Sequence, residues 1–286
     1  MSIFMLRNGL RPDRVVLIAL LGTSLAACDK GEHSGEAADA NQASARRDDG
    51  ASGQAATAVA EAEPTFDPEQ SKKLRKSMCD YLSADMVAEH FEVEADELTK
   101  VSIMGCTYSW SDDDDGKIVE VSLMIPRVHD SLDDAKTWFN NATASKTKAQ
   151  IDAEYDKVKA AVEDQGKLDS KLEKDTAKGI TDMAKSGTPD EGISYTDVDG
   201  IASQARASSA DGSLWIRTGN LTFQVRAYAG AAMEQPPFDP KNPNAMIAAA
   251  MEANKKWVAE TIDEREAAAK KIAPDIVAAL AKAAGS

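Results

Sequence analysis

Leu214-Trp215-Ile216-Arg217-Thr218-Gly219-Asn220-Leu221-Thr222-Phe223-Gln224-Val225-Arg226-Ala227-Tyr228 is the stretch that decides the fold. Two strand-like runs flank Gly219-Asn220, a two-residue turn suited to positive φ. Leu221, Phe223, Val225 and Ala227 alternate with Thr222, Gln224, Arg226 and Tyr228. The alternation predicts one face packed on helices and the other meeting solvent or a partner.

Outward from this hairpin, a second one is predicted earlier in the chain. Segments 100–110 and 117–128 read as strands, with Val119, Val121, Leu123 and Ile125 on one face and the acidic turn 111–116 between them. Between the hairpins lies a long helical region, 131–189. Ser131-Leu132-Asp133-Asp134 has the form of a capping box. Ala135, Trp138, Phe139 and Ala142 follow at helical spacing, then Ile151, Tyr155, Val158 and Val162 as a narrower stripe. Gly166 is an expected break, and 168–184 is more polar. This region reads as a solvated insertion or as a partner-binding arm.

Helices are expected at both ends of the domain. Segment 71–82 carries Leu74, Met78 and Cys79 on one side, and Ser83 suits the N-cap of a short helix with Met86, Val87, His90 and Phe91. After a loop holding Pro236, Pro237, Pro240 and Pro243, Asn244 opens an Ala-rich helix to about residue 271. Pro274 suits the first position of a last helix with Ile276, Val277 and Leu280 buried. The expected fold is therefore α+β: an antiparallel sheet of two hairpins packed against N- and C-terminal helices, with a long helical insertion between the hairpins.

The first residues carry an address. Arg7, Arg11 and Arg14 precede an apolar run from Val15, and Leu25-Ala26-Ala27-Cys28 follows. The apolar part is about 13 residues, short of the about 20 that a bilayer core needs. Small residues before a cysteine are the pattern of a bacterial lipobox. There the thiol takes a diacylglycerol and the chain is cut just before it. Residues 1–27 are then a signal peptide, and Cys28 is the lipidation site, with palmitate-type chains holding the protein to the membrane. Two or three chains make such an anchor effectively permanent. Asp29 leans the expected location to the inner rather than the outer membrane, facing the periplasm.

Residues 28–66 are read as the lipidated cysteine and a tether. From Asp29 to Glu63 the chain is rich in Ala, Gly, Ser, Asp and Glu and has almost no large apolar residue, so it cannot bury enough surface to offset its ordering entropy. Pro64-Thr65-Phe66-Asp67-Pro68 marks the boundary, and 67–286 is read as a single domain. The formal charge of −15 becomes about −17 after cleavage, which argues against a nucleic-acid partner and against a broad surface contact with anionic lipid.

Three cysteines are an odd number for an exported chain. With Cys28 committed to lipid, Cys79 and Cys106 remain for a structural disulfide in a compartment where disulfides persist.

These residues have a familiar order: Cys79-Asp80-Tyr81-Leu82-Ser83, Gly105-Cys106-Thr107-Tyr108-Ser109-Trp110, Val198-Asp199-Gly200-Ile201 with Gln204-Ala205, then Leu214 to Asn220. The set resembles a lipoprotein domain of unknown function from actinobacterial cell envelopes. Ala202 stands where that pattern has a second glycine, and 131–189 is longer than the pattern implies. The resemblance implies a small α+β sandwich of the kind seen in photosystem-associated extrinsic proteins, and it implies no site residues.

Constellations for catalysis are scarce. No nucleophile elbow, zinc-protease helix or phosphate-cradling lysine loop occurs. Calcium at 112–116 would need a carboxylate six residues after Gly116, where Ser122 stands. His129-Asp130 could orient a base, but no nucleophile is placed near it, and His90 suits a core edge. The expectation is a membrane-anchored envelope lipoprotein without enzymatic activity or cofactor, docking an envelope protein. The alternatives are a carrier of a small apolar ligand, or an inhibitor or immunity protein at the envelope.

Overall fold

The computed structural model describes residues 63–102, 105–112, 114–164, 185, 187–236 and 243–284. Cys28 and the tether up to residue 62 lie outside them, as do Gly166 and 168–184 of the helical region. Elements in chain order are α1 (Ser71–Lys76), α2 (Ala84–Phe91), β1 (Thr99–Val101), β2 (Gly105–Asp112), β3 (Lys117–Val128), α3 (Leu132–Ala142), α4 (Lys148–Asp164), β4 (Tyr195–Asp197), β5 (Gln204–Ser208), β6 (Leu214–Thr218), β7 (Leu221–Ala231), α5 (Pro243–Glu260) and α6 (Ile262–Ala284). The strands form one open antiparallel sheet of order β1-β2-β3-β7-β6-β5-β4. The class is α+β, and the sheet is wider than two hairpins.

β6 and β7 pair around Gly219-Asn220 in the register that the sequence suggests, Thr218 opposite Leu221 and Ile216 opposite Phe223. Positive φ falls on Gly219 alone of the two (57°), the pattern of a II′ turn. Leu214, Ile216, Leu221, Phe223 and Val225 share one face with Cys106, Tyr108, Val121 and Leu123, all buried. Ala269, Ile272, Ala273, Ile276 and Leu280 of α6 join the same core, with Leu74, Met78, Leu82 and Val87 from the N-terminal helices.

Of solvent or a partner, the two expectations for the opposite face, solvent is ruled out along most of β7. Thr222, Gln224 and Tyr228 are all nearly inaccessible. α3 covers part of this face, with Trp138 against Trp215 (6.0 Å) and Phe139 under the Arg206 guanidinium (5.3 Å). The polar groups are matched among themselves: Gln224 Nε2 donates to Ser213 Oγ (2.8 Å), and the Thr107 and Ser122 hydroxyls share a bond (2.9 Å).

Four other expectations change. Segment 71–82 is not one helix: α1 ends at Lys76, Ser77 Oγ donates to the Lys73 carbonyl (3.0 Å), and a 3-10 turn covers Met78–Asp80. Segment 100–110 is two strands, β1 folding back on β2. At Gly105 the chain crosses so close to β3 that a Cβ would lie 2.3 Å from the Leu123 carbonyl oxygen. The C-terminal break falls at Thr261, not before Pro274, which sits inside α6. A proline there costs the helix a hydrogen bond, and the burial of Ile272, Ala273 and Ile276 around it offsets that cost.

The domain boundary also moves. Phe66 is 2 % exposed and belongs to the core. Its N–H donates to Asn220 Oδ1 (2.7 Å), and its carbonyl accepts from Asn220 Nδ2 (2.8 Å). Arg217 holds Glu63 through two bonds (2.9 and 3.1 Å). The ordered domain therefore starts no later than Glu63.

Cys79 and Cys106 stand at disulfide distance, with Sγ atoms 2.06 Å and Cα atoms 5.0 Å apart. The link joins the turn after α1 to the core face of β2. Closing a loop between residues 27 apart is worth about 3–4 kcal/mol on the chain-entropy model. Reduction, or Cys79→Ala, is expected to lower stability by about 2–5 kcal/mol while the native circular dichroism is kept. Denaturant melts with and without reductant check this. Overlapping melts, or two freely alkylated thiols in the unreduced protein, would refute it.

Candidate functional site

β7 outruns β6. Its pairing with β6 stops at Val225, while its pairing with β3 continues to Ala231. The corner between α5 and α6 fills the flank left open. Trp257 meets Tyr228 edge-on (5.0 Å), and both donate to the Ala231 carbonyl: Tyr228 Oη at 2.8 Å and Trp257 Nε1 at 3.2 Å. The Arg265 guanidinium lies 4.7 and 4.3 Å from the two ring centroids, and its Nε donates to Thr261 Oγ1 (2.9 Å). Beside it, Arg226 faces Asp211 across 3.1 Å. This is an ion contact without hydrogen-bond alignment at Arg226 Nε.

Asp211 sits in the turn between β5 and β6. Burial alone would raise its carboxyl pKa. The Arg226 charge, together with the Ser213 hydroxyl and N–H bonds (2.6 and 3.1 Å), outweighs that and holds it below the usual range. Burial lowers the Arg265 pKa, and Glu120 opposes the shift. Two cations and two carboxylates thus balance. The cavity that Glu120, Asp211, Arg226, Tyr228, Trp257 and Arg265 line has about 30 Å³ of room. That is the scale of a water molecule, against several hundred Å³ for a ligand site. The cluster works as a clamp that fastens the α5–α6 corner to β7. Alternation alone puts Arg226 on an open face, and residues 120, 211, 226 and 265 share no local motif from which the cluster is legible.

His129 follows β3 and is 6 % exposed. Its Nε2 is 3.0 Å from Thr222 Oγ1, and its ring packs on Trp138 (5.3 Å). Burial, then the nearby Arg127 charge, pushes its pKa down to about 4. The imidazole is neutral at pH 7 and committed to a hydroxyl that is itself 1 % exposed. Asp130 is on the surface, so the His129-Asp130 pair does not form a catalytic arrangement.

His90 joins helices: its Nε2 is 2.7 Å from Asp275 Oδ2 on α6, and Lys271 Nζ bonds its carbonyl. Asp112 Oδ1 accepts from the Asp114 and Asp115 N–H groups (2.9 and 3.2 Å), which caps the hairpin turn. Among the described residues no cluster of His, Cys, Asp and Glu fits a metal ion.

Two surfaces remain distinct from these buried clusters. In α5, Met246-Ile247-Ala248-Ala249-Ala250-Met251 are apolar in sequence, none is buried, and Ile247 is 44 % exposed. In α1, Lys73, Arg75 and Lys76 are exposed. No helix among the described residues is long and apolar enough to cross a membrane.

The depressed His129 pKa sets a pH dependence. The folded state favours the neutral ring, so its stability contribution is complete above the unfolded pKa near 6.5. It is lost as pH falls to about 4, by roughly 3 kcal/mol in all. His129→Gln is expected to flatten the stability profile between those pH values. Urea melts of both proteins across that window measure the difference. Parallel profiles would contradict the assignment.

No protein-family model, curated protein or solved structure matches the chain.

Proposed function

We propose that the protein is an envelope lipoprotein, lipidated on Cys28 and facing the periplasm, whose domain is a non-enzymatic protein-docking module. The inner membrane is favoured through Asp29. The resemblance to actinobacterial envelope lipoprotein domains, carried by the short motifs around Cys79, Cys106 and Gly219, supports the same reading.

The observation that carries the docking part is α5. An apolar helix segment normally lies in a core. Here six apolar residues in a row remain accessible, and Trp257 at the far end of the helix is its anchor on β7. An accessible, Met-containing apolar helix suits insertion into the apolar groove of a protein partner. The helical excursion 131–189 is a second arm in this reading. Its α3 is tied to the sheet through Phe139, and in α4 Ile151 is the buried residue among the described side chains. An inhibitor or immunity protein would use the same surfaces. The carrier reading finds no support in the small cavity beside Arg265.

Two measurements test the proposal. Wild type is expected to take up labelled palmitate and be cut before Cys28, and Cys28→Ala to do neither. A photo-crosslinker at Ile247 in the full chain is expected to yield one discrete protein adduct in the native envelope. Met251→Glu, one turn further along α5, should abolish it, and a crosslinker at exposed Asp114 should yield none. Normal processing of Cys28→Ala would overturn the anchor, and equal adducts at both positions would overturn the docking surface.

A further inference from the structure

The chain has 48 acidic and 33 basic residues, yet Ser71–Lys76 reads Ser-Lys-Lys-Leu-Arg-Lys, four cations in six residues and no acid. Among its described side chains Leu74, 4 % exposed, is the one that is buried. Lys73, Arg75 and Lys76 are exposed and have no ion-pair partner among the described residues. Elsewhere in the domain the cations of Lys117, Lys146, Lys148, Arg206, Arg217 and Arg226 are each held by a carboxylate. Glu69 and Asp80 border the groove beside Lys73 and Lys76 and balance those two charges, so that exposed Arg75 on the same helix supplies the positive excess.

The place of this helix matters as much as its charge. Phe66 is fastened to Asn220, and α1 begins five residues later. Five residues span at most about 18 Å, so the patch lies beside the point where the chain from Cys28 enters the domain. The chain from Cys28 to Glu63 can span at most about 120 Å even when fully extended. A domain held that close meets the membrane at high effective concentration. Charges more than about 8 Å from the surface are screened at physiological salt, so the local sign decides the contact, not the net charge of the chain.

We propose that α1 is the face by which the domain lies on anionic phospholipid headgroups, with Lys73, Arg75 and Lys76 as the contacts. This rests on the lipid anchor at Cys28. Each cation near such a surface strengthens the contact roughly fivefold, so three give about a hundredfold. Docking through α1 would orient the domain on the membrane and leave α5 as a separate surface for a protein.

The test uses the full lipidated chain in vesicles of phosphatidylcholine alone or with about a third phosphatidylglycerol, each carrying dansyl-labelled headgroups. All four tryptophans, Trp110, Trp138, Trp215 and Trp257, lie in the domain, so their energy transfer to dansyl reports its distance from the bilayer. Transfer is expected to be at least about twofold higher in the anionic vesicles and to fall to the neutral level in high salt. K73E/R75E/K76E should remove the difference, and K73Q/R75Q/K76Q should reduce it. Unchanged melting of the charge variants secures the comparison. Equal transfer in both vesicle types, or a difference that survives the triple substitution, would overturn the docking face; an acidic protein as the true partner would give the first result. Flotation with neutral vesicles reads the anchor separately. If the chain does not float, the anchor reading fails. Salt-sensitive cosedimentation of the added chain with anionic vesicles, lost in K73E/R75E/K76E, then still decides the role of α1, and its absence overturns it.

Discussion

The Asn220 side chain is the junction on which the domain depends. It is 1 % exposed. Its amide pairs with both the N–H and the carbonyl of Phe66, as a neighbouring strand would, and donates also to the His129 carbonyl (2.8 Å). The backbone carbonyl of Asn220 accepts from the His129 N–H (2.9 Å). One turn residue thus fastens the entry of the chain, the end of β3 and the β6–β7 hairpin to one another. Gly219 lets this happen: a Cβ there would lie 1.6 Å from the Pro64 carbonyl oxygen. Buried amides unpaired by mutation cost about 1–3 kcal/mol each, so no neutral side chain substitutes easily.

Around that junction the two faces of the sheet are built differently. One is an apolar core against α6 and the N-terminal helices, clamped by the link between Cys79 and Cys106. The other is closed by matched polar groups and by arginines over rings: Arg206 on Phe139, Arg265 on Tyr228 and Trp257. Glu63, in the segment that enters the domain, is drawn to the same side by Arg217. Hydrogen bonding to Arg217 holds the Glu63 carboxyl below its usual pKa range against the opposing effect of burial. Outside these two faces, α1 presents exposed cations and α5 presents accessible apolar side chains.

What the sequence made legible was local. Strict alternation placed β3 and β7, and the Ser83 and Ser131 hydroxyls cap α2 and α3 through Met86 and Asp134 N–H groups. The errors came from long-range contacts. Segment 100–110 alternates well enough for one strand, and its reversal follows from the approach of Gly105 to Leu123 in another strand. β4 and β5 are short, and Ala205 and Ala207 give a weak apolar signal. Proline is a sound first-turn residue, which drew the helix start to Pro274, whereas burial of α6 against the sheet carries the helix through it. Arg226 and Tyr228 looked like surface residues, because the Asp211 and Arg265 that meet them lie 15 or more positions away. Polar and proline-rich neighbours place Phe66 with the tether by sequence, and only the distant Asn220 draws it into the core.

The entry clasp is tested most directly by native-state hydrogen exchange at the Phe66 amide. If the Phe66 N–H is held by Asn220 inside the domain, it should exchange at a rate set by global unfolding, like amides of β7, and Asn220→Ala should release it ahead of the sheet. Exchange of the wild-type amide at the rate of an unstructured peptide would contradict the account and return Phe66 to the tether.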